Sequence, residues 1–195
     1  MFLQRPRIAN WLHALHLGQP HSQTIDIELE ALNRHAQGKK TALEIGTFQG
    51  VSAVHIVRGM DPQGVLYCID PWPEDDGKPN PCWSITERHF KRSKIWGRVK
   101  ILRDFSSKVQ SQIPDQLDFA FIDGDHSWEG IETDWAIVAP KIKSGGILCL
   151  HDSVTPEPEP WRVLGSTKFY AEVISKDPSF EVVEIVYSLA VLRKK

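Results

Sequence analysis

An α/β fold is predicted for this chain: a mostly parallel, twisted sheet with helices on both faces and a C-terminal antiparallel hairpin. Three observations predict it. Strand-like apolar runs alternate with helix-like segments along the chain, the pattern that builds parallel sheets from βαβ units. The last two β-runs, Glu181 to Val186 and Ser188 to Leu192, are separated too briefly for a helical crossover and should pair antiparallel. The other strand runs each end in a polar or glycine-rich cluster, while Gly38, Gly64 and Gly145-Gly146 fall at the opposite edge. Ligands in such sheets sit outside the carboxyl ends of the strands, so this asymmetry points to a single site there.

Taken in order, residues 7–17 and 24–36 read as helices, the second with Ile25, Ile27, Leu29 and Leu32 as its apolar stripe. Gly38-Lys39-Lys40 closes that helix, and the first strand follows at 41–46. A helix over 50–60 leads through Asp61-Pro62-Gln63-Gly64, a strong turn signal, into a second strand at 65–69. That strand ends at Asp70-Pro71, and a loop rich in proline and acid runs from Trp72 to Pro81. A helix over 83–95 precedes the third strand at 99–102. The fourth strand is 117–122 and the fifth 146–150, with a helix over 129–143 between them and Pro140 as a caution about its end. A helix over 162–175 follows the Pro/Glu loop 155–160. The reading divides the chain into an N-terminal helical segment, 1–38, packed on the same domain, and a ligand-binding domain, 39–195.

Composition sets the outer bounds. A chain of 195 residues suits one domain with a substantial core. Net charge is −2, which argues against general attraction to nucleic acid or an anionic membrane. No apolar run approaches the roughly 20 residues that span a bilayer, and Met1 to Arg7 lacks the apolar stretch of a signal peptide. Cys68, Cys82 and Cys149 are odd in number and form no CxxC pair, so reduced thiols and a cytoplasmic address are expected.

The stretch Glu44-Ile45-Gly46-Thr47-Phe48-Gln49-Gly50-Val51-Ser52 carries most of the functional information. An apolar strand enters a glycine-containing turn and a helix opens directly after it. That arrangement brings backbone close to a ligand and aims helix N–H groups at an anionic group. Asp70 ends the next strand twenty-six residues beyond Glu44, where a carboxylate can accept both hydroxyls of a ribose. The Gly-x-x-x-Gly spacing serves a pyrophosphate poorly, which disfavours a dinucleotide. A tight turn that binds nothing is the plain alternative; Glu44, Gly46, Gly50, Ser52 and Asp70 together outweigh it.

These residues resemble the class I S-adenosylmethionine-dependent methyltransferases, which carry Glu/Asp-x-Gly-x-x-x-Gly on their first strand and turn. The chain is especially similar to the catechol-type, cation-dependent O-methyltransferase branch, over residues 40–155. The resemblance implies a Rossmann-like fold in which Gly46 and Gly50 flank the methionine portion of the cofactor, Ser52 binds its carboxylate and Asp70 holds the ribose. Glu44 and Asp123 are counted with the cofactor-binding set. Asp104 is either a helix N-cap or the contact for the adenine amino group, and Phe105 and Trp72 are either walls for the adenine or plain packing.

The run Asp123-Gly124-Asp125-His126 is the second signal, because polar side chains at the end of an apolar strand are costly unless they bind or react. Asp123 and Asp152 end neighbouring strands, and hard carboxylate oxygens suit Mg²⁺ or Mn²⁺. Phe121 to Ser127 and Leu150 to Ser153 are similar to the metal positions of cation-dependent and antibiotic-sugar O-methyltransferases, which makes Asp123 and Asp152 the implied ligands. Ser153 stands where those families place Asn or Asp, so His151 or a water is needed to complete the shell; the alternative is that Asp123 and Asp152 cap turns without metal. The lysine that the catechol enzymes use as base is absent. Asp125 matches the base position of the sugar-modifying relatives and is favoured over His126, which could instead orient Asp125, bond the cofactor or be structural.

The expected activity is O-methylation of a small-molecule hydroxyl assisted by a divalent cation. The alternatives are a macromolecular (RNA or protein) methyltransferase and a cofactor-binding protein without catalysis. The basic segment Trp83 to Arg98 and most tryptophans read as surface and packing, and loops 71–82 and 153–161 as lids over the substrate. Homo-oligomer and monomer both remain open.

Overall fold

The computed structural model describes residues 18–74, 77–78, 80–157, 159 and 163–195; the helix expected at 7–17 lies outside them. The described elements are α1 (Asp26–His35), β1 (Thr41–Ile45), α2 (Val51–Gly59), β2 (Val65–Ile69), α3 (Pro81–Arg92), β3 (Val99–Leu102), α4 (Ser106–Val109), β4 (Leu117–Ile122), α5 (Trp128–Val138), β5 (Ile142–Leu150), α6 (Gly165–Glu172), β6 (Phe180–Val186) and β7 (Leu189–Lys194). Among the described residues, three short 3₁₀ turns, at Trp96–Arg98, Gln110–Gln112 and Ala139–Lys141, and a fourth at Ile174–Lys176 complete or replace helix ends.

 The boundaries follow from local chemistry. α3 begins two residues earlier than the sequence suggests, because Asn80 caps it through a 2.9 Å bond from Cys82 N–H and Pro81 takes the first helical position. It ends at Arg92, three residues early, as the chain reverses at Lys94 with φ 60°. Ser127 caps α5 by accepting Gly130 N–H at 3.0 Å, and Pro140 confines the helix to residues before the 3₁₀ turn at Ala139–Lys141. The last expected helix, 162–175, is the shorter α6, and the fifth strand starts four residues earlier, at Ile142.

The seven strands form one sheet in the order β3-β2-β1-β4-β5-β7-β6. The first five are mutually parallel, and β7 runs against both β5 and β6. The expected Rossmann-like sheet with a C-terminal antiparallel hairpin is thus the observed fold. Alternate residues of each strand face opposite layers. Phe119 and Phe121 enter the core beneath α1, α2 and α3, whereas Ala120 and Ile122 enter the core beneath α5 and α6. Burying one such phenylalanine contributes about 1.5–3 kcal/mol, so both layers are needed to hold the sheet.

Register places the functional edge. Leu102, Ile69, Ile45, Ile122 and Leu150 are paired in one row across β3, β2, β1, β4 and β5. The residues that follow, Arg103, Asp70, Gly46, Asp123 and His151, therefore emerge side by side. Gly46 has φ 88°, and a Cβ there would collide with the backbone carbonyl of Asp123. Gly38 also has positive φ, 69°, but has open space around it.

These two glycines separate strain from collision. Gly38→Ala should cost about 1 kcal/mol, the left-handed penalty alone. Gly46→Ala should cost about 2 kcal/mol or more beyond that, because the ends of β1 and β4 must separate. Urea unfolding midpoints at unchanged slope are the measurement, and equal losses would remove the close approach as a constraint.

Candidate functional site

A cleft of about 460 Å³ opens at this edge, where the strand order turns from β2 on one side of β1 to β4 on the other. Its walls are the β1–α2 turn, Asp70-Pro71, residues 104–107, residues 123–126 and the inner side of α5. His21, Ser22 and Gln23 close one flank. Of the loops expected to act as lids, only Pro71 lines the cleft among the described residues.

The β1–α2 turn is built around Asp70. Its carboxylate accepts Phe48 N–H at 2.8 Å and Trp72 N–H at 2.9 Å. Burial raises the Asp70 pKa above the usual carboxylate range in spite of these two donors. Phe48 O receives Trp72 Nε1–H at 2.8 Å and lies 2.5 Å from Thr86 Oγ1, which holds the turn with Phe48 at φ 49°. Gln49 Oε1 accepts His21 N–H at 2.7 Å, joining the flanking segment to the turn. Gly50 starts α2 at φ 77° where a Cβ would strike the Phe90 ring, and the buried Ser52 follows in the first helical turn. Gly46, Gly50, Ser52 and Asp70 all line the cleft.

Glu44 is different. It is not among the residues that line the cleft, is wholly buried, and neither carboxylate oxygen has a hydrogen-bond partner. Burial pushes its pKa up to about 7; the Ser52 and Thr47 hydroxyls oppose the rise, and Asp123 and Asp70 add to it. Asp104 lines the cleft and accepts the N–H of Phe105, but Phe105, one residue later, is the N-cap of α4. Phe105 is exposed on the cleft wall, whereas Trp72 is buried against Trp83 and supports the turn from behind. Sequence reasoning missed the pair Ser106 and Asp134, joined by a 2.5 Å bond at the cleft wall. Burial raises Asp134 to about 6, with Asp125 adding to the effect.

The ends of β4 and β5 carry a charged cluster. Asp123 Oδ1 lies 3.2 Å from His126 Nε2 and 2.9 Å from His151 Nδ1. His126 Nδ1 stands 3.3 Å from Asp152 Oδ2, and His151 Nε2 is 3.2 Å from Glu28 Oε2. Glu28, on α1, also accepts Ser188 N–H at 3.0 Å and Ser188 Oγ–H at 2.7 Å. Burial opposes ionisation of Asp123, but His126 and His151 outweigh it and hold Asp123 below the usual range. Burial likewise disfavours the His151 cation, yet Asp123 and Glu28 prevail and raise its pKa to about 10. Neither His151 nor Glu28 had been assigned a role with Asp123 on sequence grounds beyond His151 as a spare ligand.

The donor set fits a cation at one point in particular. His151 Nδ1 is buried, faces Asp123 and has no hydrogen bond of acceptable direction. Ser153, at the position where a further ligand was sought, instead directs its hydroxyl to His151 O at 3.2 Å. Asp125 sits exposed at the rim, with Oδ1 accepting Ser127 N–H at 2.9 Å.

Residues 43–153, which span β1 to the end of β5 and both polar clusters, match the family model described as a methyltransferase domain. The chain belongs to this methyltransferase domain family. A Mycolicibacterium smegmatis protein provisionally named as an O-methyltransferase is 27% identical over 118 residues, 58% of this chain and 51% of that protein. The chain therefore spans about half the length of that relative. An O-methyltransferase from Bacillus cereus, solved in complex with SAH, has a TM-score of 0.68 at 19% identity, covering 97% of this chain and 90% of that one. TomG from Streptomyces achromogenes, an O-methyltransferase involved in tomaymycin synthesis and solved with SAM, has a TM-score of 0.69 at 14% identity, covering 96% and 87%. At these identities the two structures establish the shared fold.

Glu44 makes a pH prediction for this chain. Its carboxyl has an ordinary pKa of 4.5 and a folded value of about 7, so the folded chain keeps a proton that the unfolded chain loses across that window. Stability contributed by the protonated form is full below 4.5 and is lost as pH rises through 7. Glu44→Gln should gain stability relative to wild type as pH rises through the same window and keep the gain above it. A difference between the two denaturation midpoints that does not change with pH would contradict this.

Proposed function

We propose that the methyltransferase moves a methyl group from S-adenosylmethionine to a hydroxyl of a small molecule, with a divalent cation near Asp123. The observation that carries this reading is that the glycine turn, Asp70 and the Asp123–His126 run open into one cleft of about 460 Å³. Such a volume suits a cofactor with a small acceptor better than a segment of RNA or protein. In this reading Gly46 and Gly50 flank the methionine, the α2 N-terminus with Ser52 binds its carboxylate, and Asp70 takes the ribose hydroxyls. Asp104 takes the adenine amino group and Phe105 covers the ring. Glu44 supports the turn from behind as a buried carboxyl inclined to keep its proton.

In the transfer, the S–CH₃ bond breaks as an O–CH₃ bond forms in line with it, and the acceptor hydroxyl loses its proton. Positioning of the two reactants supplies much of the rate. Asp125 Oδ2 is the oxygen assigned to take the proton, with Oδ1 held by Ser127 N–H. His126 keeps Asp123 and Asp152 in place from its two ring nitrogens. A bound cation would supply Lewis acidity to the acceptor oxygens. Of Mg²⁺ and Mn²⁺, the second is better suited to the adjoining imidazoles. A cytoplasmic setting belongs to the same reading, supported by three buried, unpaired cysteines. No helix among the described residues is long and apolar enough to cross a membrane.

Thermal unfolding with S-adenosylmethionine or SAH, on wild type and Asp70→Ala, tests the cofactor assignment. At 100 times its dissociation constant the ligand adds about 2.7 kcal/mol, a rise of several degrees; the rise should disappear in Asp70→Ala. Tritiated methyl transfer to a panel of hydroxylated acceptors should then be seen with wild type and fall about 100-fold or more in Asp125→Asn. A saturating cofactor that leaves the wild-type midpoint unmoved would overturn the reading.

A further inference from the structure

The two imidazoles beside Asp123 are arranged so that each offers one nitrogen to the cluster centre and the other to a carboxylate. We propose that Asp123 Oδ1, His126 Nε2 and His151 Nδ1 form a metal site of one oxygen and two nitrogens, with Asp152 and Glu28 holding the rings, and that it selects an imidazole-binding transition metal dication over Mg²⁺. This site differs from the oxygen pair Asp123 and Asp152 expected from sequence. It does not depend on the methyl-transfer reading.

Geometry supports the set. The three ligand atoms lie within 4.8 Å of one another. Asp152 Oδ2 faces the opposite nitrogen of His126 from the one that meets Asp123, and it is 3.8 Å from His151 Nδ1. It is therefore placed to orient the His126 ring. Glu28 does the same for His151 through Nε2. Metal-binding histidines characteristically give their second N–H to a carboxylate in this way.

An independent observation comes from His151. Its side chain is 1% exposed, and Nδ1 is directed at Asp123 at 2.9 Å without the alignment of a hydrogen bond. A coordinated ion would take up both this nitrogen and the Asp123 oxygen it faces in place of their ion pair. Glu28, the residue that fixes this ring, is itself anchored by Ser188 and by Ile25 N–H at 3.2 Å. Two nitrogen donors disfavour Mg²⁺, which takes oxygen ligands and sheds water reluctantly.

The test uses the full chain, stripped with a chelator and titrated separately with Co²⁺, Zn²⁺, Mn²⁺ and Mg²⁺ by calorimetry, with Co²⁺ also followed by visible absorption. One Co²⁺ per chain with ligand-field bands is expected, and Mg²⁺ should bind about 100-fold or more weakly. Binding should release protons, seen as a buffer-dependent heat. His126→Gln, at a partly exposed position, should lose Co²⁺ affinity by about 100-fold, and Glu28→Gln by about 10- to 100-fold. Melting curves establish that each variant is folded, and His126→Gln carries the test if Glu28→Gln is not. Absence of Co²⁺ binding at millimolar concentration, or equal affinity in wild type and His126→Gln, would overturn the triad. Tight Mg²⁺ binding that survives His126→Gln would also overturn it, in favour of the oxygen pair. SAH binding measured on the same samples reports on the cofactor separately.

Discussion

The contact on which the site depends is the passage of the β1 backbone against the carbonyl of Asp123, which a side chain at position 46 would block. The row of paired residues from Leu102 to Leu150 brings five strand ends level, but only this approach lets the turn after β1 and the cluster after β4 share a cleft. The positive φ at Gly46 and Gly50 then directs the chain into α2 with its free N–H groups toward the same space. Asp70 completes the turn by accepting Phe48 N–H, so a residue read as a ligand contact also holds the loop that would surround the ligand.

Charge balance is the second constraint. Glu28, Asp123 and Asp152 are three carboxylates at one end of a buried wall, and His126 and His151 lie between them. An unpaired charge at such depth would be strongly destabilising, whereas a chain of alternating acids and bases is tolerated. Glu44 stands outside that chain, and burial raises its pKa, with Asp123 and Asp70 adding to the rise. The same sheet edge thus holds one carboxyl inclined to stay neutral and another, Asp123, held ionised.

How much of this was legible in sequence depended on distance along the chain. The second, third and fourth strands were read to the residue, because each is a short apolar run bounded by turn residues or a polar end. The order of glycines and acids at the strand ends located the edge where Gly46, Asp70 and Asp123 meet. Helix ends were read less well, since Asn80 and Pro81 advance one start and Lys94 reverses the chain at the other end. The Glu28–His151 contact joins residues 123 apart, and Ser106–Asp134 joins residues 28 apart on different helices. No periodicity or spacing signals such pairs; they exist only once the layers have stacked. Trp72, readable from sequence as an adenine wall or as plain packing, takes the second role, buried against Trp83.

The bond between Glu28 and Ser188 spans 160 residues and ties the first described helix to the turn between the last two strands. During synthesis on the ribosome, every residue that lines the cleft emerges before Ser188 does. The pocket can take shape early, but the orientation of His151 waits for β7 to enter the sheet between β5 and β6. Alignment of His151 is therefore a late event of folding, and it reports that α1 has met the last hairpin rather than that the central sheet has formed.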